Sequence, residues 1–201
     1  MAQTQLGTKS SEVQRELALQ AVDHLALVTD DMRETVRFYT EVLRMKLVHA
    51  MRTPGAYNAE RGNPPYANIR HYFFDMGNDG LLAFFEYPKG APQSDRDGLG
   101  GMQHVAFHAD RATFQQFQDH FKDKEIPFVG PIDLGIRWSI YFFDNNGIRL
   151  EITTVTDMED FDAVATVLQT EETARAELST LYESEEELGA VLSYMTLADQ
   201  T

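Results

Sequence analysis

Two histidines and two glutamates occupy matching places in two similar parts of the chain. Val22–Asp30 and Met102–Asp110 align at a shift of 80 residues, and each has a His near its start, an Ala two residues later and an Asp six residues after the His. A second repeat, Tyr72–Asp75 and Tyr141–Asp144, precedes in each copy a glycine-containing turn and an apolar strand with one Glu. The four residues are His24, Glu86, His104 and Glu151. Two imidazoles and two carboxylates suit Ni, Zn, Fe(II), Mn or Co, so the sequence predicts one divalent transition metal ion.

The alternation of side chains along each strand predicts where these four residues point. Side chains two residues apart share a strand face. We expect one face of each sheet to pack on helices through six apolar residues: Leu25, Leu27, Val105, Phe107, Leu150 and Ile152. The four polar residues are then predicted to point away from the helices, toward a shared concavity. His49, His71 and His120 lack a repeat partner and are predicted to be surface or loop residues.

The order of apolar patterns and turns predicts the same β-α-β-β-β unit twice. Its helices are predicted at Met32–Leu43 and Ala112–Lys124. The fold class is therefore α+β, with curved mixed sheets around a metal-binding cavity and a helical extension at the C-terminus. The predicted divisions are a lead-in at 1–20, a domain at 21–156 made of modules 21–88 and 101–156, and an acidic helical extension at 157–201.

Composition narrows the classes of function. The chain has no cysteine, which excludes disulfides, thiolate ligands and a cysteine nucleophile. A net charge of −15 and a pI near 4.7 disfavour nucleic acid as a partner. No apolar run approaches the ~18 residues of a membrane span, and the polar start lacks a signal peptide, so we expect no membrane partner and a cytoplasmic protein. The amphipathic tail favours a homodimer, and the expected ligand is a small molecule.

Three segments carry a resemblance to a known family: residues 23–28, residues 37–43 and the hairpin 141–151. They resemble the vicinal oxygen chelate superfamily, which includes glyoxalase I, bleomycin-binding proteins and extradiol dioxygenases. The resemblance covers about 135 residues and leaves the acidic tail unexplained. It implies that His24, Glu86, His104 and Glu151 are the metal positions.

The first activity that the resemblance implies is that of a glyoxalase I-like lyase or isomerase. In that arrangement the ion chelates two adjacent substrate oxygens, and a Glu at the metal moves the proton alpha to the carbonyl. Either Glu86 or Glu151 is the base, and the sequence leaves both open. A glutathione adduct needs cationic contacts, and the candidate substrate-binding residues are Arg52, Arg61, Arg70, Phe84 and His108.

Two alternatives remain open at this stage. An extradiol dioxygenase would use His24, His104 and Glu151 as a facial triad on Fe(II), with Tyr141 as a catalytic residue that contacts the substrate. The second alternative is a non-catalytic drug-binding protein that uses the same fold without a metal. Glu86 separates the two enzymes, because it is a ligand in the lyase and lies outside the triad of the dioxygenase.

Overall fold

The structure is a computed structural model that describes residue 19 and residues 21–54, 66–155 and 162–198. The chain divides into two compact units, Met1–Ala91 and Pro92–Thr201. Apart from residue 19, the predicted lead-in at 1–20 lies outside the described residues, and so does Arg61. The predicted module boundaries remain predictions, since the division into units does not test them.

The first unit is a four-stranded sheet with one helix. Its elements are β1 (His24–Thr29), α1 (Met32–Arg37), a π-helical segment (Phe38–Val42), β2 (Lys46–Arg52), β3 (Arg70–Gly77) and β4 (Gly80–Glu86). The strand order is β1-β4-β3-β2, with β1 parallel to β4 and the other pairs antiparallel. Asp31 begins the helix, because its carboxylate accepts a hydrogen bond from the Glu34 N–H. The buried Tyr39 ring then packs on Phe74 and Phe84, at centroid distances of 5.5 and 4.9 Å.

The second unit repeats this arrangement. Its elements are β5 (Val105–His108), α2 (Arg111–Asp123), β6 (Phe128–Asp133), β7 (Arg137–Phe143) and β8 (Arg149–Val155). The order β5-β8-β7-β6 again places one parallel pair at the edge. Asp110 caps α2 through the Thr113 N–H, and Phe121 packs on Phe142 at 4.7 Å. Two four-stranded mixed sheets with helices confirm the predicted α+β class.

The second unit also contains the C-terminal extension, which is helical as predicted. It forms α3 (Ala163–Val167), α4 (Glu171–Leu178) and α5 (Glu185–Leu192). A small apolar cluster of Ala174, Leu188 and Leu192 joins α4 to α5. Arg175 contributes an ion pair to Glu185 at 2.9 Å. In the described part of the chain, no helix is both long enough and apolar enough to span a membrane.

Strand register corrects the predicted correspondence between the two units. Ala26 lies opposite Ala83, whereas Ala106 lies opposite Glu151. The counterpart of Glu151 is therefore Ala83, and the prediction that Glu86 and Glu151 are equivalent is wrong. The repeated Tyr-Phe-Phe-Asp motif is misleading because it recurs one residue out of structural register. Phe74 and Phe142 are the true counterparts, with 0% and 1% of their surfaces exposed.

Candidate active site

The second sheet brings a histidine and a glutamate together. His104 directly precedes β5, and its Nε2 lies 3.0 Å from Oε2 of Glu151 in β8. The Glu151 side chain is buried, with 6% of its surface exposed. Two ligand atoms at right angles, each about 2.1 Å from an ion, are themselves about 3.0 Å apart. The donor types and their spacing therefore fit two ligands of one transition metal ion.

A neighbouring side chain orients each histidine. The amide oxygen of Gln103 contacts Nδ1 of His104, so Nε2 is the nitrogen directed at Glu151. In the first unit, Oδ1 of Asp23 lies 2.6 Å from Nδ1 of His24. Such contacts fix the tautomer and the ring orientation of ligand histidines, with Nε2 left for coordination. This repeated feature supports His24 as a predicted ligand.

Tyr141 lies beside the His104–Glu151 pair. It is directly across from Glu151 in the β7–β8 ladder, and its ring meets that of His104 edge to face at 6.1 Å. The Arg149 guanidinium lies 5.3 Å from the Tyr141 ring centroid. Burial raises the pKa of Tyr141, and the neighbouring Glu151 raises it further. The phenol therefore stays protonated near neutral pH and can donate a hydrogen bond to a substrate oxygen.

Further polar residues follow on the same face of the second sheet. Thr153 is paired with both Ser139 and His108, and the Ser139 hydroxyl donates to Oγ1 of Thr153 at 3.2 Å. Burial lowers the pKa of His108, Asp110 opposes this shift, and Arg137 adds to it. We name this face the polar face; its members are His104, His108, Ser139, Tyr141, Glu151 and Thr153. The predicted contact of His108 with substrate is compatible with this placement and stays a prediction.

Glu86 points the opposite way from its predicted direction. Its Oε1 accepts a hydrogen bond of 3.0 Å from the Met32 N–H at the start of α1, and its other oxygen pairs with Arg70. A carboxylate at a helix N-terminus is stabilised by the unpaired N–H groups and the helix dipole. Glu86 therefore lies on the helix-packed face of β4. The sequence prediction failed because it assigned the two faces of β4 from the alternation of side chains alone. The pairing of β4 with β1 and β3, which fixes those faces, was not known from the sequence.

Glu86 also lies too far along β4 from His24 for the two residues to share an ion. His24 lies opposite Leu81, five residues before Glu86. At about 3.3 Å per residue the two side chains start about 16 Å apart. They cannot bind one ion within this sheet, which contradicts Glu86 as a ligand alongside His24.

Two predicted substrate contacts in the first unit are also corrected. Phe84 has 0% of its surface exposed and packs on Tyr39 in the helical core. Arg70 forms its ion pair with Glu86, so its charge is already balanced. Arg52 extends along the strand end, where Nη1 donates to the Asn68 carbonyl at 2.7 Å. Arg52 and Arg70 are thus engaged in contacts within the first sheet, and a role in binding a glutathione adduct stays a prediction.

The sequence analysis missed a group of aromatic rings on the face of the first sheet away from α1. His71 stacks on Phe85 at 3.7 Å and contacts Phe73 at 4.4 Å. The rings of His24 and His49 each lie 5.7 Å from Phe73. We name these five residues the aromatic cluster. The alternation of His71, Phe73 and Asp75 in β3 signals that they share a face, but the repeat search gave weight only to residues with partners.

His71 is the buried member of the aromatic cluster, so its prediction as a surface or loop residue is wrong. Its exposed fraction is 9%, and its Nε2 has no hydrogen-bond partner among the described residues. Burial lowers its pKa to about 4, and the nearby His24 and His49 add to this effect. His49 lies in the exposed edge strand β2, in agreement with its predicted surface position.

Across residues 19, 21–54, 66–155 and 162–198, no group of three or more His, Asp or Glu side chains is placed to hold a metal ion. The metal site is therefore supported by the His104–Glu151 pair and remains a prediction as a complete set. His24 is predicted from the sequence repeat and from the contact with Asp23 that orients its ring.

Comparison with known proteins identifies the relatives of this fold. The family model of the Glyoxalase/Bleomycin resistance protein/Dioxygenase superfamily matches residues 21–152. The chain is 23% identical over 142 residues to Metallothiol transferase FosB of Staphylococcus epidermidis, covering 70% of this chain and 85% of that one.

Solved structures with the same fold were also found. A glyoxylase/bleomycin resistance protein/dioxygenase domain from Frankia sp. EAN1pec has a TM-score of 0.55 at 19% identity, covering 70% of this chain and 95% of that one. A glyoxalase/dioxygenase from Nostoc punctiforme has a TM-score of 0.53 at 21% identity, and the match covers 75% of this chain and 100% of the Nostoc chain. At these identities the likeness shows a shared fold.

Proposed function

Because the chain belongs to the Glyoxalase/Bleomycin resistance protein/Dioxygenase superfamily, we propose that it is an enzyme dependent on a divalent transition metal. His104 and Glu151 are proposed as two ligands of this ion, and His24 stays a ligand predicted from the sequence repeat. The observation that carries this proposal is the 3.0 Å approach of Nε2 of His104 to Oε2 of Glu151. Glu86 is left out of the proposed set because its two oxygens contact the Met32 N–H and Arg70.

Three protein ligands leave open coordination positions for a substrate with two adjacent oxygens. When bound, the ion would supply the positive charge that binds these two oxygens, and Fe(II) would also supply the redox chemistry needed to use O2. Gln103 holds the His104 ring in orientation, and the Tyr141 hydroxyl donates a hydrogen bond to one substrate oxygen. The chain's part in the chemistry is therefore positioning and hydrogen bonding at the reacting centre.

We place extradiol cleavage of a catechol-type ring first among the candidate reactions. The lyase prediction relied on Glu86 as a ligand and possible base, and on arginines such as Arg70 to hold an anionic adduct. Glu86 and Arg70 instead pair with each other. The dioxygenase needs neither residue, and Tyr141, its predicted substrate-contacting residue, lies beside His104 and Glu151. Both atoms of O2 enter the ring-opened product, so no further reductant is needed.

Thiol transfer is the second candidate function. The similar proteins from Staphylococcus epidermidis are named metallothiol transferases. Arg149, whose guanidinium lies over the Tyr141 ring, could bind an anionic substrate at the same centre. A glyoxalase-type lyase comes third, with Glu151 as its remaining candidate base.

The test combines metal loading with parallel assays. Purified protein is incubated separately with Fe(II), Mn, Co, Ni and Zn, and bound metal is measured after gel filtration. Oxygen uptake with catechol is then compared with thiol consumption in the presence of a small electrophile and with turnover of the methylglyoxal–glutathione hemithioacetal. We expect Fe(II)-dependent oxygen uptake. Protein that binds none of the five metals contradicts the proposal and favours the drug-binding alternative.

The predicted partners beyond the substrate stay proposals. Small-molecule binding agrees with the superfamily, whereas the homodimer rests on the sequence argument about the acidic tail. Light scattering at micromolar concentration tests the dimer, because a species of 22.8 kDa alone would remove it.

A further inference from the structure

The aromatic cluster of the first unit combines a continuous set of rings with one buried polar atom that lacks a partner. His71 lies between Phe85 and Phe73, with centroid distances of 3.7 and 4.4 Å. Its Nε2 is enclosed and unpaired within the described part of the chain. A buried imidazole nitrogen without a hydrogen bond destabilises the folded state. A phenylalanine would fill this place without that cost, so the nitrogen calls for an explanation beyond packing.

The neighbouring residues indicate what could pair with this nitrogen. The ring of Phe73 lies 5.7 Å from that of His24, the predicted metal ligand of this unit. A substrate held near His24 by its oxygens would therefore extend over Phe73 toward His71. Planar apolar groups stack favourably on such rings.

We propose that the aromatic cluster binds the planar apolar part of the substrate, and that Nε2 of His71 makes a hydrogen bond to one uncharged polar substituent on it. This inference deepens the proposed function and rests on it for the ion that binds the opposite end of the substrate. The class of ligand is an uncharged aromatic ring bearing a hydroxyl or carbonyl group. His71 is then a residue that determines specificity.

Charge supports an uncharged ligand over an anionic one. Burial keeps the His71 imidazole neutral at pH 7, because its pKa is lowered to about 4. The nearest strand arginine, Arg70, is paired with Glu86 on the opposite face of the sheet. A carboxylate or phosphonate would find no compensating positive charge from either group, so it would bind less well than a phenol.

The experiment compares phenol with toluene, which have similar rings and differ in one hydroxyl. Neither can chelate an ion through two oxygens, so binding reports on the ring site. Affinities are measured by ligand-observed NMR on metal-loaded and metal-depleted full-length protein. We expect phenol to bind about 5- to 10-fold more tightly than toluene, the difference expected of one buried hydrogen bond. His71→Phe should abolish this preference and leave toluene binding unchanged.

Two controls keep the result interpretable. His120→Phe makes the same chemical change on α2 of the second unit and should keep the phenol preference. In wild-type protein labelled with 15N-histidine, phenol should shift the Nε2 resonance of His71 and toluene should not. This measurement needs no variant and remains decisive if His71→Phe fails to fold.

The outcomes separate this inference from the proposed function. Equal affinity of wild-type protein for phenol and toluene, or an unmoved His71 resonance, overturns the inference even if metal and turnover are present. A phenol preference that depends on His71 in protein that binds no metal supports the inference and contradicts the proposed function.

Discussion

The two sheets share a fold and differ in the chemistry of one face. Register places five pairs of residues in corresponding positions: His24 and His104, Ala83 and Glu151, Phe73 and Tyr141, His71 and Ser139, and Phe85 and Thr153. In the first sheet these positions are mostly aromatic, and in the second they are mostly polar. Of the two, the second sheet has both a histidine and a carboxylate at ligand spacing.

The faces that pack on the helices are alike in the two sheets. Leu82 and Leu150 correspond by register, as do Phe84 and Ile152, and all four are buried. Packing against a helix constrains size and polarity at these positions, because interiors are closely packed. The opposite faces do not pack against these helices, and their residues differ in chemical type between the two sheets. Repetition therefore preserves the core, while the faces away from the helices acquire separate roles.

The largest effect is expected from moving the carboxylate to the first sheet. Ala83 is the counterpart of Glu151 and has 0% of its surface exposed. Ala83→Glu would therefore bury a carboxylate among residues that are mostly aromatic. We expect a loss of more than about 3 kcal/mol in unfolding free energy, measured by urea denaturation. Ala26→Glu on the exposed part of β1 is the control and should change stability by less than about 1 kcal/mol. Equal tolerance at both positions would contradict the contrast between the faces.

The buried histidine of the first sheet should make stability depend on pH. The pKa of His71 is lowered from 6.5 to about 4 by burial, so the unfolded chain takes up a proton at a higher pH than the folded one. Its stabilising contribution is fully present above pH 6.5 and is lost as the pH falls toward 4. The difference corresponds to at most about 3 kcal/mol. Denaturation of metal-depleted protein across this range should show a steeper loss in wild type than in His71→Phe, and parallel curves would contradict the assignment.

A smaller effect is expected from the hydroxyl of Tyr141 on the polar face. Tyr141→Phe removes the hydrogen-bond donor beside Glu151 and keeps the ring that contacts His104. We expect turnover to fall about 10- to 100-fold with metal content unchanged. Tyr194→Phe, in an exposed part of the C-terminal extension, is the matched control. Unchanged turnover in Tyr141→Phe would remove this residue from the proposed mechanism.

The smallest effect concerns the structural role of Glu86. Glu86→Gln weakens the pair with Arg70, which is 42% exposed, but keeps an oxygen that can accept from the Met32 N–H. The expected loss of stability is the smallest of the four, because solvent screens exposed ion pairs. Arg70→Gln and the double variant complete a cycle that isolates the pair. Additive losses would show that Glu86 and Arg70 do not interact in solution.

Much of the fold could be predicted from sequence because its signals are local. The caps Asp31 and Asp110, the apolar periodicity of the helices and the turn before Ile148 fix element types within a few residues. The duplicated unit followed from a short repeat around His24 and His104. Each of these signals depends on neighbours in the chain, which sequence displays directly.

The errors arose where strand pairing decides the outcome. The predicted match of Glu86 with Glu151 displaces β4 by three residues, because Ala83 is the true counterpart of Glu151, and an odd displacement reverses the predicted side-chain direction. The aromatic cluster was missed for a related reason. His71 and Phe85 come from different strands, and only their pairing shows that the two rings stack.

The central claim is that the carboxylate of the second sheet binds the metal and that Glu86 of the first does not. Metal per chain should be measured by elemental analysis in wild type, Glu151→Ala and Glu86→Ala, after equal loading and gel filtration. The account predicts near-stoichiometric metal in wild type and Glu86→Ala, and at least about a 10-fold loss in Glu151→Ala. Retention of metal in Glu151→Ala together with its loss in Glu86→Ala would contradict it.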